Sequence, residues 1–379
     1  MIYILAMWAG FAVLALLIPK KYYKFYYFLM VCALSWLAFH INPFPAMDLF
    51  RYNNTMDLYR VVGWHWVLQN DFSDNPLATV YFYLIALLDD NRFLPAITVF
   101  LVYAFSFGLL YKASVRFACK KSEIIVALLF FMLNFNYFYV VDVIRIYLCY
   151  AIMAYFLYMD LVEKKHRWLC AVVYVAVCFI HYVILLIVFV RLLMVFIRYF
   201  KGPVANIGLL LFPPIVWVAY RIFIQIPTLS GIFELAGRKG IGYLSYDVFG
   251  VWQFIDSLVR LFLALFIGLF TLWLCKCVAQ KAPKENVLLR QECSAMSDYT
   301  YFGLFSIAST FGFISNYQMM LRTPNFVQIV FMPIVLYTLS KLREKNRTYL
   351  SLWSFVIIIE SIANFVYLSV YVYSSAKFF

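Results

Sequence analysis

The stretch "MIYILAMWAGFAVLALLIPKKYYK", residues 1–24, decides the fold. Ile2 through Ile18 carry no charge, and Lys20, Lys21 and Lys24 follow at once. An apolar run of roughly 20 residues can cross ~30 Å of hydrocarbon as a helix. Lysines crowded at one end of such a run fix the side on which that end lies. No basic segment precedes it and no small-residue cleavage site follows it, so it reads as a retained signal-anchor helix.

The same pattern recurs to the far end of the chain. The 379 residues are 66% hydrophobic and 21% aromatic, with 40 Phe and 31 Tyr, more apolar surface than a soluble domain of this length can hide. Backbone groups in lipid must be satisfied within the segment, which favours helices. The alternation of a membrane β-barrel is absent. The expected fold is all-α, a single integral membrane domain over residues 1–379. About twelve transmembrane helices fit the hydropathy, near 2–18, 24–41, 95–113, 124–141, 144–162, 168–181, 183–199, 204–224, 253–275, 300–319, 325–341 and 349–371. Residues 168–199 read either as one long helix or as two short ones broken at His181. Residues 75–88 are too short to cross and suit an interfacial or re-entrant helix.

Lysines and arginines then sort the sides. Lys20–Lys24, Lys112–Lys121, Lys164–Arg167, Arg198 with Lys201, Lys276–Arg290 and Lys341–Arg347 all fall on one face under this topology, which places that face in the cytoplasm. Both termini then face outward. Residues 42–94 and 225–252 become outer loops, the first with the short helix, and 276–299 becomes a cytoplasmic loop. The net charge of +13 records this bias rather than nucleic-acid binding. None of the eight cysteines falls in an outer loop, so no disulfide framework is implied. Cys275-x-Cys277 lacks zinc spacing. Walker, dinucleotide and Ser-His-Asp patterns are missing, and neither a metal nor another cofactor is expected.

A few charges oppose the bias. "MDLFRYNNTMDLYR", residues 47–60, holds two Asp-x-x-Arg units, Asp48/Arg51 and Asp57/Arg60. Their nine-residue offset is about 900° of helical rotation, a net half turn, so one helix would turn the two units to opposite sides. Asp48, Arg51 and Tyr52 follow the second span and are the expected inward set; Asp57 and Arg60 are the expected solvated pair. Arg145, in "VVDVIRIYLCYA", lies one helical turn after Asp142. It is either half of a local ion pair or a guanidinium aimed at phosphate oxygens. Arg322 sits in a turn just before Pro324, where a following helix could hold an anion; snorkelling to headgroups is the plain alternative. His181 is a packing residue or, given its near-neutral titration, a general base or acid. "AGRKGIGYLSYDVFG", residues 236–250, with Arg238, is a flap or a flexible connection. Glu360 and Arg191, inside spans, are expected to pair within the membrane.

The order "MDLFRY", then "DVIRIYLCYAIMAYFLYMDLVEKKHRWL" running into "VAVCFIHYVILLIV", then "LRTPNFVQIVFMPIVL" resembles the EpsG/Wzy family of bacterial polysaccharide polymerases. The likeness covers most of the chain in order. Met47 stands where the family often has Gly, and Tyr182 where it often has Ser. The resemblance implies a GT-C-like, metal-independent glycosyltransferase in the bacterial inner membrane. Such an enzyme joins undecaprenyl-diphosphate-linked oligosaccharide repeats at the outer face, making O-antigen, capsule or exopolysaccharide and releasing undecaprenyl diphosphate. It also implies, as partners, a flippase and a chain-length regulator of the same pathway. Arg145 and Arg322 would hold the diphosphate, with Arg51 and Arg238 in support. His181 would be the base, Asp48 the second candidate, and Tyr52 would orient Asp48 or stack on a sugar. The alternative is a flippase of lipid-linked oligosaccharide, which should show an internal repeat and charges through its centre; neither is evident.

Overall fold

The computed structural model describes residues 2–45, 47–72, 75–197, 203–225, 251–281, 283, 286–313, 317–345 and 347–371. Among these the chain is helical throughout and forms no strand. The helices are α1 (Ile2–Leu17), α2 (Tyr23–Phe39), α3 (Asp48–Asn70), α4 (Pro76–Ala86), α5 (Phe93–Arg116), α6 (Lys121–Asn134), α7 (Tyr137–Asp142) and α8 (Ile144–Tyr158). After a π-helical turn at Met159–Glu163 come α9 (Arg167–Cys178), α10 (Ile184–Ile197), α11 (Pro203–Gln225), α12 (Val251–Lys281), α13 (Val287–Gly312), α14 (Tyr317–Lys345) and α15 (Arg347–Tyr371). Among the described residues, five segments are long and apolar enough to cross a membrane: Phe93–Arg116, Ile144–Glu163, Phe254–Lys281, Arg322–Lys345 and Arg347–Tyr367. The chain forms two compact units, Met1–Leu186 with Val335–Phe379, and Ile187–Ile334.

In the first unit α5 lies against α2 and α8, α4 against α3, and α15 against α6. Its aromatics explain how so many tyrosines can be buried. Phe131 and Phe135 stack with centroids 4.7 Å apart, and the Tyr103 ring lies 5.9 Å from each. Tyrosine hydroxyls on α2 donate to backbone carbonyls of α1, Tyr23 to Ala15 at 2.9 Å and Tyr26 to Phe11 at 2.7 Å. Tyr137 donates likewise to Leu34 at 2.8 Å. A buried hydroxyl left without such an acceptor would cost about 1–3 kcal/mol. Glu360 accepts a hydrogen bond from Asn134, whose amide also donates to Ser361 at 2.9 Å while its carbonyl accepts from Asn364 at 2.8 Å.

The first, second and last basic groups meet at one end of this unit. Lys20 Nζ donates to the Cys119 carbonyl at 2.5 Å, Lys121 Nζ to the Leu16 carbonyl at 2.7 Å, and Arg343 pairs with Glu123 at 3.2 Å. Glu123 is buried and also accepts the Lys120 N–H at 2.7 Å, capping α6.

In the second unit α13 lies between α11 and α12. A side chain at Gly312 would meet Val216 Cβ at 2.6 Å and the Pro213 carbonyl at 2.9 Å, so α11 and α13 approach closely there. Arg260 is buried and ion-paired with Asp256 one turn earlier on α12. Arg191 lies on α10 in this unit.

Several boundaries differ from the sequence expectation. Residues 276–299, expected as a loop, are helical on both sides of a short connection, because Leu, Arg, Gln, Glu, Ala and Met are good helix formers whatever their hydropathy. The Asn286 side chain accepts the Leu289 N–H at 3.2 Å and starts α13. The helix expected to begin at Pro324 begins at Tyr317, so Arg322 is inside α14 rather than in a turn before it. The segment 42–94 holds the expected short helix, α4, and also the longer α3. Gly63 interrupts α3 with φ 74°, a left-handed conformation that glycine adopts without the steric cost a side chain brings. The described part of the stretch expected at 168–199, up to residue 197, forms two helices, α9 and α10, with the break at His181. Arg238 and the rest of 226–250 lie outside the described residues.

Candidate functional site

The site is built where helix ends of the first unit come together. The first backbone N–H groups of a helix have no partner inside it. At α3 this need is met from outside: the Leu49 N–H donates to Asp142 Oδ1 at 3.2 Å, so the last residue of α7 caps α3. A carboxylate there also suits the helix dipole.

Arg145, in the first turn of α8, makes no ion pair among the described residues, so the local pair with Asp142 is not formed. Its guanidinium lies 5.4 Å from the centroid of the Tyr52 ring on α3. A ring face attracts such a cation by about 0.5–2 kcal/mol but leaves its N–H groups unused. Its Nε is buried and has no hydrogen-bond partner among the described residues. Tyr52 also meets Phe82 of α4, centroids 5.0 Å apart. Tyr59, two turns along α3 from Tyr52, feels the Arg145 charge as well. Burial and a hydrogen bond with Asp71 nonetheless push the Tyr59 phenol well above its usual range.

In the two Asp-x-x-Arg units the acids are set as expected and the arginines are not. Arg51 pairs with Asp48, yet its side chain is 66% exposed. Arg60 is only 22% exposed and ties three segments together. It donates to Asp57 at 2.6 Å, to Asn91 Oδ1 at 2.6 Å and to the Ala86 carbonyl at the end of α4 at 2.8 Å. Asn91 in turn donates to Asp57 at 2.9 Å. Asp57/Arg60 is therefore a clamp, because the partners of Arg60 come from distant sequence, whereas of the two acids Asp48 is the more buried, 18% exposed against 60% for Asp57.

His181 is buried in the break between α9 and α10. The break leaves backbone groups that need partners. Phe179, just past α9, accepts the Leu77 N–H from the start of α4 at 3.2 Å, so the two termini satisfy each other. The Val183 N–H donates to His181 Nδ1 at 3.3 Å, which puts the proton of the neutral ring on Nε2. His181 joins the Arg145 neighbourhood through α8. Cys149, one turn after Arg145, donates to the Val177 carbonyl at 3.7 Å, and the His181 N–H donates to the same carbonyl at 3.1 Å.

The structure thus gathers Asp48, Tyr52, Asp142 and Arg145, with His181 on the adjoining elements. Arg322 belongs to the second unit, part-buried on α14. Tyr59 and Phe82 escaped the sequence reading. Tyr59 was legible, because it repeats the face of Tyr52 at a seven-residue spacing; Phe82 was not. The described residues hold no cluster of His, Cys, Asp or Glu able to bind a metal ion. Comparison of the chain with protein-family models, with curated proteins and with solved structures gives no match, so the residues themselves carry the functional reading.

Proposed function

We propose that this chain is a GT-C-like polysaccharide polymerase of the EpsG/Wzy kind, with about twelve membrane spans, working at the outward face of the bacterial inner membrane. It moves a growing glycan from undecaprenyl diphosphate to the next lipid-linked repeat unit. The observation that supports this most is Arg145: a guanidinium beside aromatic rings, with a buried N–H unused and its nearest acid in sequence capping α3.

In this reaction the bond between the anomeric carbon and the diphosphate oxygen breaks, and a bond from that carbon to an acceptor hydroxyl forms. Negative charge builds on the departing diphosphate, and an arginine fork is suited to two of its oxygens. Tyr52, part-exposed beside Arg145, offers a ring face to a sugar, and the buried Phe82 and Tyr59 back it. The hydroxyl proton needs an acceptor. With Nδ1 engaged by the Val183 N–H, His181 carries its proton on Nε2 and serves as a donor. The Asp48 carboxylate, acceptor only, becomes the better base. This reverses the order the sequence suggested.

A gel of surface polysaccharide from a deletion strain tests the reading, with complementation by wild type, Arg145→Ala or Asp48→Asn. A ladder restored by wild type, and single repeat units with either variant, would support it. Loss of all surface glycan on deletion would favour a flippase, and a ladder unaffected by deletion would end the proposal.

A further inference from the structure

We infer that the basic end of the first unit carries a binding site for the headgroup phosphate of one anionic glycerophospholipid, in a shallow pocket where three helix ends meet. The pocket encloses about 820 Å³. Lys20 comes to it from the turn after α1, Ala118 to Ser122 from the connection between α5 and α6, and Arg343 from the last turn of α14, all within the first unit. It shares no residue with the Arg145 neighbourhood and does not depend on the polymerase reading.

The lining is cationic out of proportion to a chain in which only 13% of residues are charged. Lys20, Lys120, Lys121 and Arg343 carry positive charge, Ser122 adds a hydroxyl, and no carboxylate occurs among the described lining residues. Three of these cations have protein partners, and the partners do not cancel the charge. Lys20 and Lys121 each give a hydrogen bond to a carbonyl, that of Cys119 and that of Leu16. A carbonyl is neutral, and an ammonium has three N–H donors to share. Arg343 pairs with Glu123, which is buried and outside the lining. Four positive charges against that one negative charge leave a surplus for an anion from outside to balance. The start of α6 lies in the same lining, and its helix dipole has the same sign.

The surroundings favour a lipid over a soluble phosphate. Phe93–Arg116 and Arg322–Lys345 are both long and apolar enough to cross a membrane, and the pocket stands at their ends. Headgroups lie at that level, and basic pockets between helices there select acidic ones. Leu16 is 61% exposed and Leu17 71% exposed. Because the Leu16 carbonyl accepts from Lys121, these leucines and the ammonium stand side by side. A phosphate held by the lysines leaves its acyl chains to run along Leu16 and Leu17. A soluble phosphate meets the cations but not the leucines. A zwitterionic headgroup brings its own cation into a pocket that already has four.

The test uses the full chain purified in detergent, exchanged into phosphatidylglycerol or phosphatidylcholine and weighed intact by native mass spectrometry. The wild type should retain one phosphatidylglycerol about tenfold more tightly than phosphatidylcholine. Lys120 and Ser122 are both exposed, so substitutions there should fold. Lys120→Gln should weaken phosphatidylglycerol about fivefold, with phosphatidylcholine unchanged. Ser122→Asp puts a negative charge into the first turn of α6, which suits the helix but repels a phosphate, and should weaken phosphatidylglycerol about tenfold or more. Arg116→Gln removes an exposed cation at the end of α5, outside the lining, and should leave both lipids as in wild type. Equal retention of the two lipids by wild type would overturn the inference. Undiminished phosphatidylglycerol binding in Ser122→Asp would do so too. A loss in Arg116→Gln as large as in Lys120→Gln would replace the site by a diffuse field and reject it. Competition by millimolar glycerol 3-phosphate would assign the cations to a soluble phosphate and equally reject the lipid.

Discussion

The two ends of the first unit use their cations differently. At the basic end Lys20, Lys121 and Arg343 are each tied to a protein acceptor, the Cys119 and Leu16 carbonyls and the Glu123 carboxylate. At the other end Arg60 is tied in the same way, but Arg145 is not. One α8 with its π turn separates the levels, twenty residues or roughly 30 Å. Charge in a greasy chain is therefore two separate signals. Where carbonyls and carboxylates converge on a cation, it holds helices together; where the neighbouring acid caps a helix, the proposed function assigns the cation to a ligand.

The comparison breaks first at Arg145. Arg145→Gln should lower polymer synthesis from lipid-linked repeats by about 10²–10³-fold, the scale for losing one donor to developing charge. Arg145→Lys should recover only part of it, because a point charge replaces a fork. Thermal stability should be unchanged or rise in Arg145→Gln, since a half-buried cation whose Nε lacks a partner among the described residues is removed. A fall in stability equal to the fall in activity would make Arg145 structural.

Arg60→Ala gives the opposite result. It removes hydrogen bonds to Ala86, Asn91 and Asp57, so unfolding should become easier by about 1–3 kcal/mol. Activity per folded molecule should persist, as measured by denaturant titration beside an activity assay. A specific loss of activity at full stability would place Arg60 with Arg145.

A smaller effect is expected at the cap. Asp142→Ala should cost about 1 kcal/mol through the start of α3, and Asp142→Asn should recover most of it because an amide oxygen also accepts the Leu49 N–H. Equal losses in both variants, read by thermal denaturation, would show that charge rather than capping matters there.

The smallest effect is at the basic end. Burial, helped by Glu123, pushes the Cys119 thiol from 9.0 to about 12. Its folded value is raised, so this contribution to stability is intact below about 9 and is lost as pH climbs towards 12. At pH 8 the thiolate should be roughly a thousandfold scarcer than for an ordinary thiol, so iodoacetamide should leave Cys119 unlabelled in the folded protein, as peptide mass spectrometry would read. Rapid labelling would mean that the basic end opens.

Much of this was legible in the sequence because hydropathy is a one-dimensional signal. The helical class, the break at His181 as one of two options, and the isolation of Arg145 in an apolar run all follow from local composition. What stayed hidden depends on partners far along the chain. Arg60 and Arg51 have identical local settings, and only Asn91 and the Ala86 carbonyl distinguish them. The helix at 287–299 was hidden for another reason: its charged residues lower hydropathy without lowering helix propensity.

The shared hydrogen bond between the start of α4 and the end of α9 has a mechanical consequence. Leu77 and Phe179 are a hundred residues apart, yet each completes the other's helix end. On the proposed function, a sugar that presses on Tyr52 would push, through Phe82, the same short rod whose tip holds the Phe179 carbonyl, two residues before His181. Occupancy at the Tyr52 face would thereby reach the imidazole as a small displacement, and an empty site and a filled one would set the histidine differently.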